Sequence, residues 1–181
     1  MSKLVLVNLL TGSRLALAVP VAVLTLWSRD RSWAIVASTI LIIAIEVSDL
    51  ADGYAARRSR TVSKFGKLFD PYADSVSRLV VYWSLAMIGR CLAFVPLVMA
   101  VRDVTVSYSR IVMTERGGDV SARRTGKLKA LVQGTCGAVL MAGPLYWGRW
   151  EQTFVIGLSS AVVAITVLSM LDYGRAALRA L

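Results

Sequence analysis

The sequence contains no histidine at all, and only two cysteines, Cys91 and Cys136. The cysteines have no metal-like spacing and no histidine beside them, which excludes a zinc or redox centre of the usual kind. Both are expected to be small buried residues. Charge is also scarce, at 18% of residues, where a soluble domain carries about 25%. Apolar residues make up 56% of the chain, the mean hydropathy is +0.63, and the excess is gathered in long runs. That pattern excludes an ordinary soluble domain and predicts an integral membrane protein. No small-residue cleavage site follows a short apolar core near the N-terminus, so a cleaved signal peptide is not expected. Acids are fewer than bases, 11 against 21, for a net charge of +10. The bases lie in the gaps between apolar runs. Anionic lipid surfaces and phosphate ligands fit that placement better than nucleic acid does.

The apolar runs predict an all-α chain of six membrane helices in a single domain, 1–181. Their expected extents are about Leu4 to Trp27, Trp33 to Arg57, Lys67 to Ile88, Leu92 to Met113, Lys129 to Trp147 and Thr153 to Leu171. Each is near the ~20 residues needed to cross a bilayer core. The two longer connections are basic. One holds Arg57, Arg58, Arg60, Lys64 and Lys67, and the other Arg116, Arg123, Arg124, Lys127 and Lys129. The positive-inside rule then places both termini and both basic loops in the cytoplasm. Trp27, Trp33, Trp147 and Trp150 fall at the outer ends of the spans, as interface anchors do.

Against this greasy background four aspartates stand out. Asp49, Asp52 and Ala56 share one face of the second helix; Gly66, Asp70 and Asp74 share one face of the third. A short loop joins the two helices, which are therefore expected to be antiparallel neighbours with both acidic faces at the cytoplasmic surface. Four carboxylates in a partly dry site repel one another unless cations neutralise them. An all-oxygen donor set favours Mg²⁺, Ca²⁺ or Mn²⁺. Two such ions can clamp a phosphoryl group undergoing displacement. Glycine inside a helix costs roughly 0.5–1 kcal/mol relative to alanine. Gly53 and Gly66 are consistent with close approach of a ligand or with tight helix packing. Arg57, one turn past Gly53, can fork onto a diphosphate. Pro71 removes one hydrogen bond from the third helix beside the acids.

The stretch DLADGYAARRSRTVSKFGKLFDPYAD fits D-x-x-D-G-x-x-A-R, eight residues, then G-x-x-x-D-x-x-x-D, at Asp49, Asp52, Gly53, Ala56, Arg57, Gly66, Asp70 and Asp74. It resembles the signature of the CDP-alcohol phosphotransferases, which are integral membrane enzymes. The resemblance implies transfer of the phosphatidyl group of CDP-diacylglycerol to an alcohol, with release of CMP. It implies that Asp49, Asp52, Asp70 and Asp74 hold two divalent ions, Mg²⁺ or Mn²⁺, and that Asp74 is also the general base. Asp52, Gly53, Ala56, Arg57 and Gly66 would border the CDP-lipid. It further implies a homodimer and, for a bacterial chain, the inner membrane with the site facing the cytoplasm.

The acceptor is read from the later helices. Arg102 and Arg110 lie eight residues apart, on roughly one face of the fourth helix, and Lys127 and Lys129 follow. Cations in or beside a membrane helix suggest a phosphorylated acceptor. These segments, and the opening NLLTGSR, are similar to those of bacterial phosphatidylglycerophosphate synthases, which implies glycerol 3-phosphate. An inositol phosphate needs a similar cationic pocket and stays open. A structural pairing of Arg102 with Asp103 also stays open. The different-class alternative is a divalent-cation transporter. The acids gather at one side and the outer halves of helices two and three are apolar, which argues against a path across the membrane.

Overall fold

The computed structural model describes the backbone of residues 3–27, 31–59, 64–115 and 124–180, and the side chains of 12–27, 31–48, 69, 71–115 and 124–179. Among the described residues the regular secondary structure is all helix, with no strand. The order is α1 (Lys3–Trp27), α2 (Ser32–Ser59), α3 (Lys64–Met87), α4 (Val95–Glu115), α5 (Arg124–Ala142) and α6 (Glu151–Ala180), with two single 3₁₀ turns between α5 and α6.

Local chemistry explains where the helices stop. Gly89 adopts a left-handed φ of 78°, and the Arg90 N–H reaches back to the Leu85 carbonyl at 2.9 Å. This is the glycine-terminated helix end that satisfies orphan carbonyls. Pro96 sits in the first turn of α4, where its missing N–H costs nothing. The Gly143–Pro144 pair turns the chain out of α5 into a 3₁₀ turn. There the Trp147 ring lies over Gly143 so closely that a Cβ on Gly143 would sit 2.2 Å from it. Trp147 in turn stacks on Phe154 of α6, with ring centroids 4.9 Å apart. Gly143→Ala is therefore expected to destabilise the fold by roughly 1–3 kcal/mol, the usual cost of overpacking. The check is a lowered melting temperature in detergent. Gly157→Ala, with nothing within 4 Å of the new methyl, should leave it unchanged.

α1 packs along both α2 and α3, α4 packs on α6, and α5 lies against α6 and α2. Among the described residues α2 and α3 touch each other only slightly. The short connection between them had suggested close neighbours along their length; instead each packs mainly on α1, and they meet directly through Glu46 and Arg78. The shared core is apolar and drawn from all six helices, including Val21, Ile42, Leu85, Met99, Leu140 and Val162. Cys91 and Cys136 are both buried, as expected. Cys91 lies in the α3–α4 turn, where Ser159 of α6 donates to its sulfur at 3.7 Å and accepts the Leu92 N–H at 3.2 Å. Burial pushes its thiol up to about 11.

The outer surface is apolar as well. Ile40, Leu97, Val104, Leu131 and Leu168 are each half or more exposed. Helices that are apolar on both inner and outer faces are those whose solvent is hydrocarbon. The segments 124–145 and 148–179 are each long and apolar enough to cross a membrane, and 12–27 and 32–48 are shorter apolar helices.

Candidate functional site

The C-terminal part of α2 carries Asp49, Asp52, Gly53, Ala56 and Arg57, and the N-terminal part of α3 carries Gly66, Asp70 and Asp74. The eight motif positions thus fall on the two helix ends that flank the α2–α3 connection. The side chains of Asp49, Asp52, Ala56, Arg57 and Asp70 lie outside the described residues; that of Asp74 is described. Its carboxylate is a quarter exposed and accepts a hydrogen bond from Nη1 of Arg14 on α1, whose own side chain is 1% exposed. Arg14 is the last residue of the stretch NLLTGSR noted in the sequence, and the structure pairs it with Asp74. A set of four carboxylates, one of them partly open and at the polar end of its helix, suits hard divalent cations. Among the described residues there is no group of three metal-ligating side chains, because three of the four acids lie outside them.

Arg78, one turn past Asp74, is open in the sequence to a site role or to packing; its partner on α2 was missed. Glu46 of α2 accepts two bonds from Arg78 of α3, Nε to Oε1 at 3.1 Å and Nη2 to Oε2 at 2.9 Å. The available signal was that Glu46 is the single charge in the run from Trp33 to Val47.

The expected acceptor residues form a second polar group at the junction of α4, α5 and α6. Arg102 is buried and gives one bond to Asp103 at 2.7 Å and another to Ser169 of α6 at 2.7 Å. Lys129, also buried, donates to the same Asp103 oxygen at 3.0 Å. The guanidinium carbons of Arg102 and Arg110 lie 5.5 and 5.3 Å from the Tyr173 ring centroid. Arg110 also donates to the Tyr173 hydroxyl at 3.2 Å. Gly126 makes room for that hydroxyl: a Cβ there would be 3.1 Å from it and 3.7 Å from Arg102 Nη2. Lys127 is exposed. The structure therefore unites Arg102, Arg110 and Lys129, and adds Asp103, Ser169 and Tyr173, which the sequence had not brought into the pocket. The pairing of Arg102 with Asp103 is present, yet it does not saturate the site. Two cations, Arg102 and Lys129, share the single carboxylate of Asp103, and the Nε donors of Arg102 and Arg110 are buried without a hydrogen-bond partner. Buried donors of this kind are costly unless something accepts from them. An anionic ligand with several acceptor oxygens is suited to do so.

Comparison with known proteins identifies the family. A family model described as CDP-alcohol phosphatidyltransferase matches residues 4–171. A relative from Treponema pallidum named CDP-diacylglycerol--glycerol-3-phosphate 3-phosphatidyltransferase is 33% identical over 132 residues, covering 66% of this chain and 60% of its own length. A Mycobacterium tuberculosis relative, named probable phosphatidylglycerophosphate synthase, is 29% identical over 185 residues, covering 96% of this chain and 82% of its own. An Arabidopsis thaliana relative, named as the first chloroplastic/mitochondrial CDP-diacylglycerol--glycerol-3-phosphate 3-phosphatidyltransferase, is 31% identical over 186 residues. That match covers 95% of this chain and 62% of the plant protein.

Proposed function

This chain belongs to the CDP-alcohol phosphatidyltransferase family, and from that premise we propose that it makes phosphatidylglycerophosphate from CDP-diacylglycerol and glycerol 3-phosphate, releasing CMP. The observation that carries the reading is the complete eight-position motif, set on the ends of α2 and α3 that flank their connection. The names of the relatives support the two substrates. We place all six helices across a membrane, the bacterial inner membrane, with both termini and the motif on the cytoplasmic side, on the strength of the basic connections. A homodimer follows from the family likeness.

The family generally uses divalent metal ions. Asp49, Asp52, Asp70 and Asp74 would hold two, Mg²⁺ or Mn²⁺, which when bound neutralise the diphosphate and make CMP a good leaving group. Gly53, Ala56 and Gly66 leave space for the nucleotide, and Arg57 forks onto its phosphates. Asp74 takes the proton from the acceptor hydroxyl. The freed oxygen forms a bond to the phosphatidyl phosphorus as the bond from that phosphorus to the CMP oxygen breaks. Arg14 holds the Asp74 carboxylate in place for this transfer. Arg102, Arg110 and Lys129 bind the phosphate of the acceptor, with Asp103 and Tyr173 setting the spacing of the cations. Lys127, exposed on the same helix, helps to draw the anion in.

The reading is tested by an acceptor screen. Purified protein, Mn²⁺ or Mg²⁺ and CDP-diacylglycerol are offered glycerol 3-phosphate, an inositol phosphate, inositol or serine, and CMP is measured. CMP release is expected with glycerol 3-phosphate and to be lost on chelation. Release with the inositol phosphate instead would keep the chemistry and change the acceptor. Metal flux in proteoliposomes without any CMP release would replace the enzyme by a transporter.

A further inference from the structure

Glu46 and Arg78 both lie farther from the α2–α3 connection than the aspartates do. Glu46 is three residues before Asp49 and Arg78 is four after Asp74, offsets of about 4.5 and 6 Å along the helices at ~1.5 Å per residue. Their two-point contact bridges helices that otherwise scarcely touch among the described residues. It is also closed from a third side. A Cβ on Gly134 of α5 would lie 2.5 Å from both the Glu46 carboxyl carbon and Oε2, so the α5 backbone seats directly on the carboxylate. One turn further along α3, the Tyr82 hydroxyl donates to the Gln133 carbonyl at 2.7 Å, and the Gln133 side chain donates to Thr166 of α6 at 2.9 Å. The crevice beside these groups holds about 10 Å³, no more than one water.

With Arg78 largely buried and Glu46 a quarter exposed, the pair is a poor source of stability, because desolvation offsets much of its attraction. In a membrane helix its charges are costlier still and seldom idle. What a two-point guanidinium–carboxylate contact does supply is fixed geometry. Both Glu46 oxygens already accept from Arg78, which leaves the carboxylate poorly placed to be a fifth metal ligand.

We infer that the Glu46–Arg78 pair, seated on Gly134, is a brace that sets the distance between the two acid-bearing helix ends, and so governs how tightly they hold divalent ions. This rests on the reading that Asp49, Asp52, Asp70 and Asp74 bind those ions. Glu46, Arg78 and Gly134 are positioning residues in this account. Each variant changes the brace differently. Glu46→Gln removes the charge, Arg78→Lys keeps the charge but loses the fork, and Gly134→Ala pushes a methyl into the carboxylate.

The test uses the full-length protein in detergent, with the Mn²⁺-induced rise in melting temperature followed by tryptophan fluorescence and bound Mn²⁺ counted at saturation. All three variants are expected to need at least tenfold more Mn²⁺ for half of the rise, with an unchanged count of bound ions. Half-saturation within twofold of the parent in Arg78→Lys, the variant best placed to fold, would overturn the brace even if the others were unstable. So would loss of one bound ion in Glu46→Gln alone, which would make Glu46 a ligand. The inference and the proposed reaction fail separately. A parent protein that binds Mn²⁺ but releases no CMP with any acceptor sinks the reaction and leaves the brace standing. Normal CMP release with unaltered Mn²⁺ response in the variants does the opposite.

Discussion

Asp74→Asn is expected to slow CMP release by about 10³-fold at saturating substrates and metal, within the 10²–10⁴-fold range that a positioned general base contributes. Asparagine keeps the shape of the side chain and can still accept from Arg14, so the fold should persist. What it cannot do is take a proton from the acceptor hydroxyl. It is also a weaker ligand for a hard cation, so part of the loss is expected to appear as a higher Mn²⁺ requirement. A turnover defect that remains when Mn²⁺ is raised to saturation is the mark of the base. Full turnover in Asp74→Asn would remove Asp74 from that role.

The second large effect is expected in the cation pocket. Arg102→Gln deletes a guanidinium that bonds Asp103 and Ser169 and lies by the Tyr173 ring. A hydrogen bond to a charged group contributes about 1.5–3 kcal/mol. The KM for glycerol 3-phosphate should therefore rise roughly 10–150-fold, at about 1.4 kcal/mol per factor of ten. The KM for CDP-diacylglycerol should be little changed, because the motif that borders it lies on α2 and α3. Lys129 remains beside Asp103, which limits the cost to the fold. Equal losses in both KM values would show that Arg102 supports the bundle as a whole and not the acceptor.

The all-helical character and the approximate helix positions were legible because apolar runs report hydrocarbon depth directly. Helix ends were less so, for the same reason. Hydropathy does not see that α5 already begins at Arg124, in a polar turn that still makes helical bonds, or that it stops at Ala142 before Gly143–Pro144. Nor does it see that α6 runs on to Ala180 through Asp172, Arg175 and Arg179. The motif residues were legible because their spacing is local to two helix ends. The side chains of Asp49, Asp52 and Asp70 lie outside the described residues. Partnerships across helices were hidden. Arg14 with Asp74, Glu46 with Arg78, and Asp103 between Arg102 and Lys129 join positions that no periodicity connects, apart from the adjacent Arg102 and Asp103. Tyr173 was invisible for a similar reason: an aromatic near the end of an apolar helix reads as packing until two guanidiniums are found by its ring.

The central claim is that the acids of α2 and α3 act together on divalent ions. Equilibrium counting of Mn²⁺ bound to the purified protein with CDP-diacylglycerol present tests it most directly. The account predicts two ions per chain, with binding lost or reduced both in Asp52→Asn on α2 and in Asp70→Asn on α3. Binding that survives intact in either variant would mean that the two helix ends do not share the metal, and would contradict it.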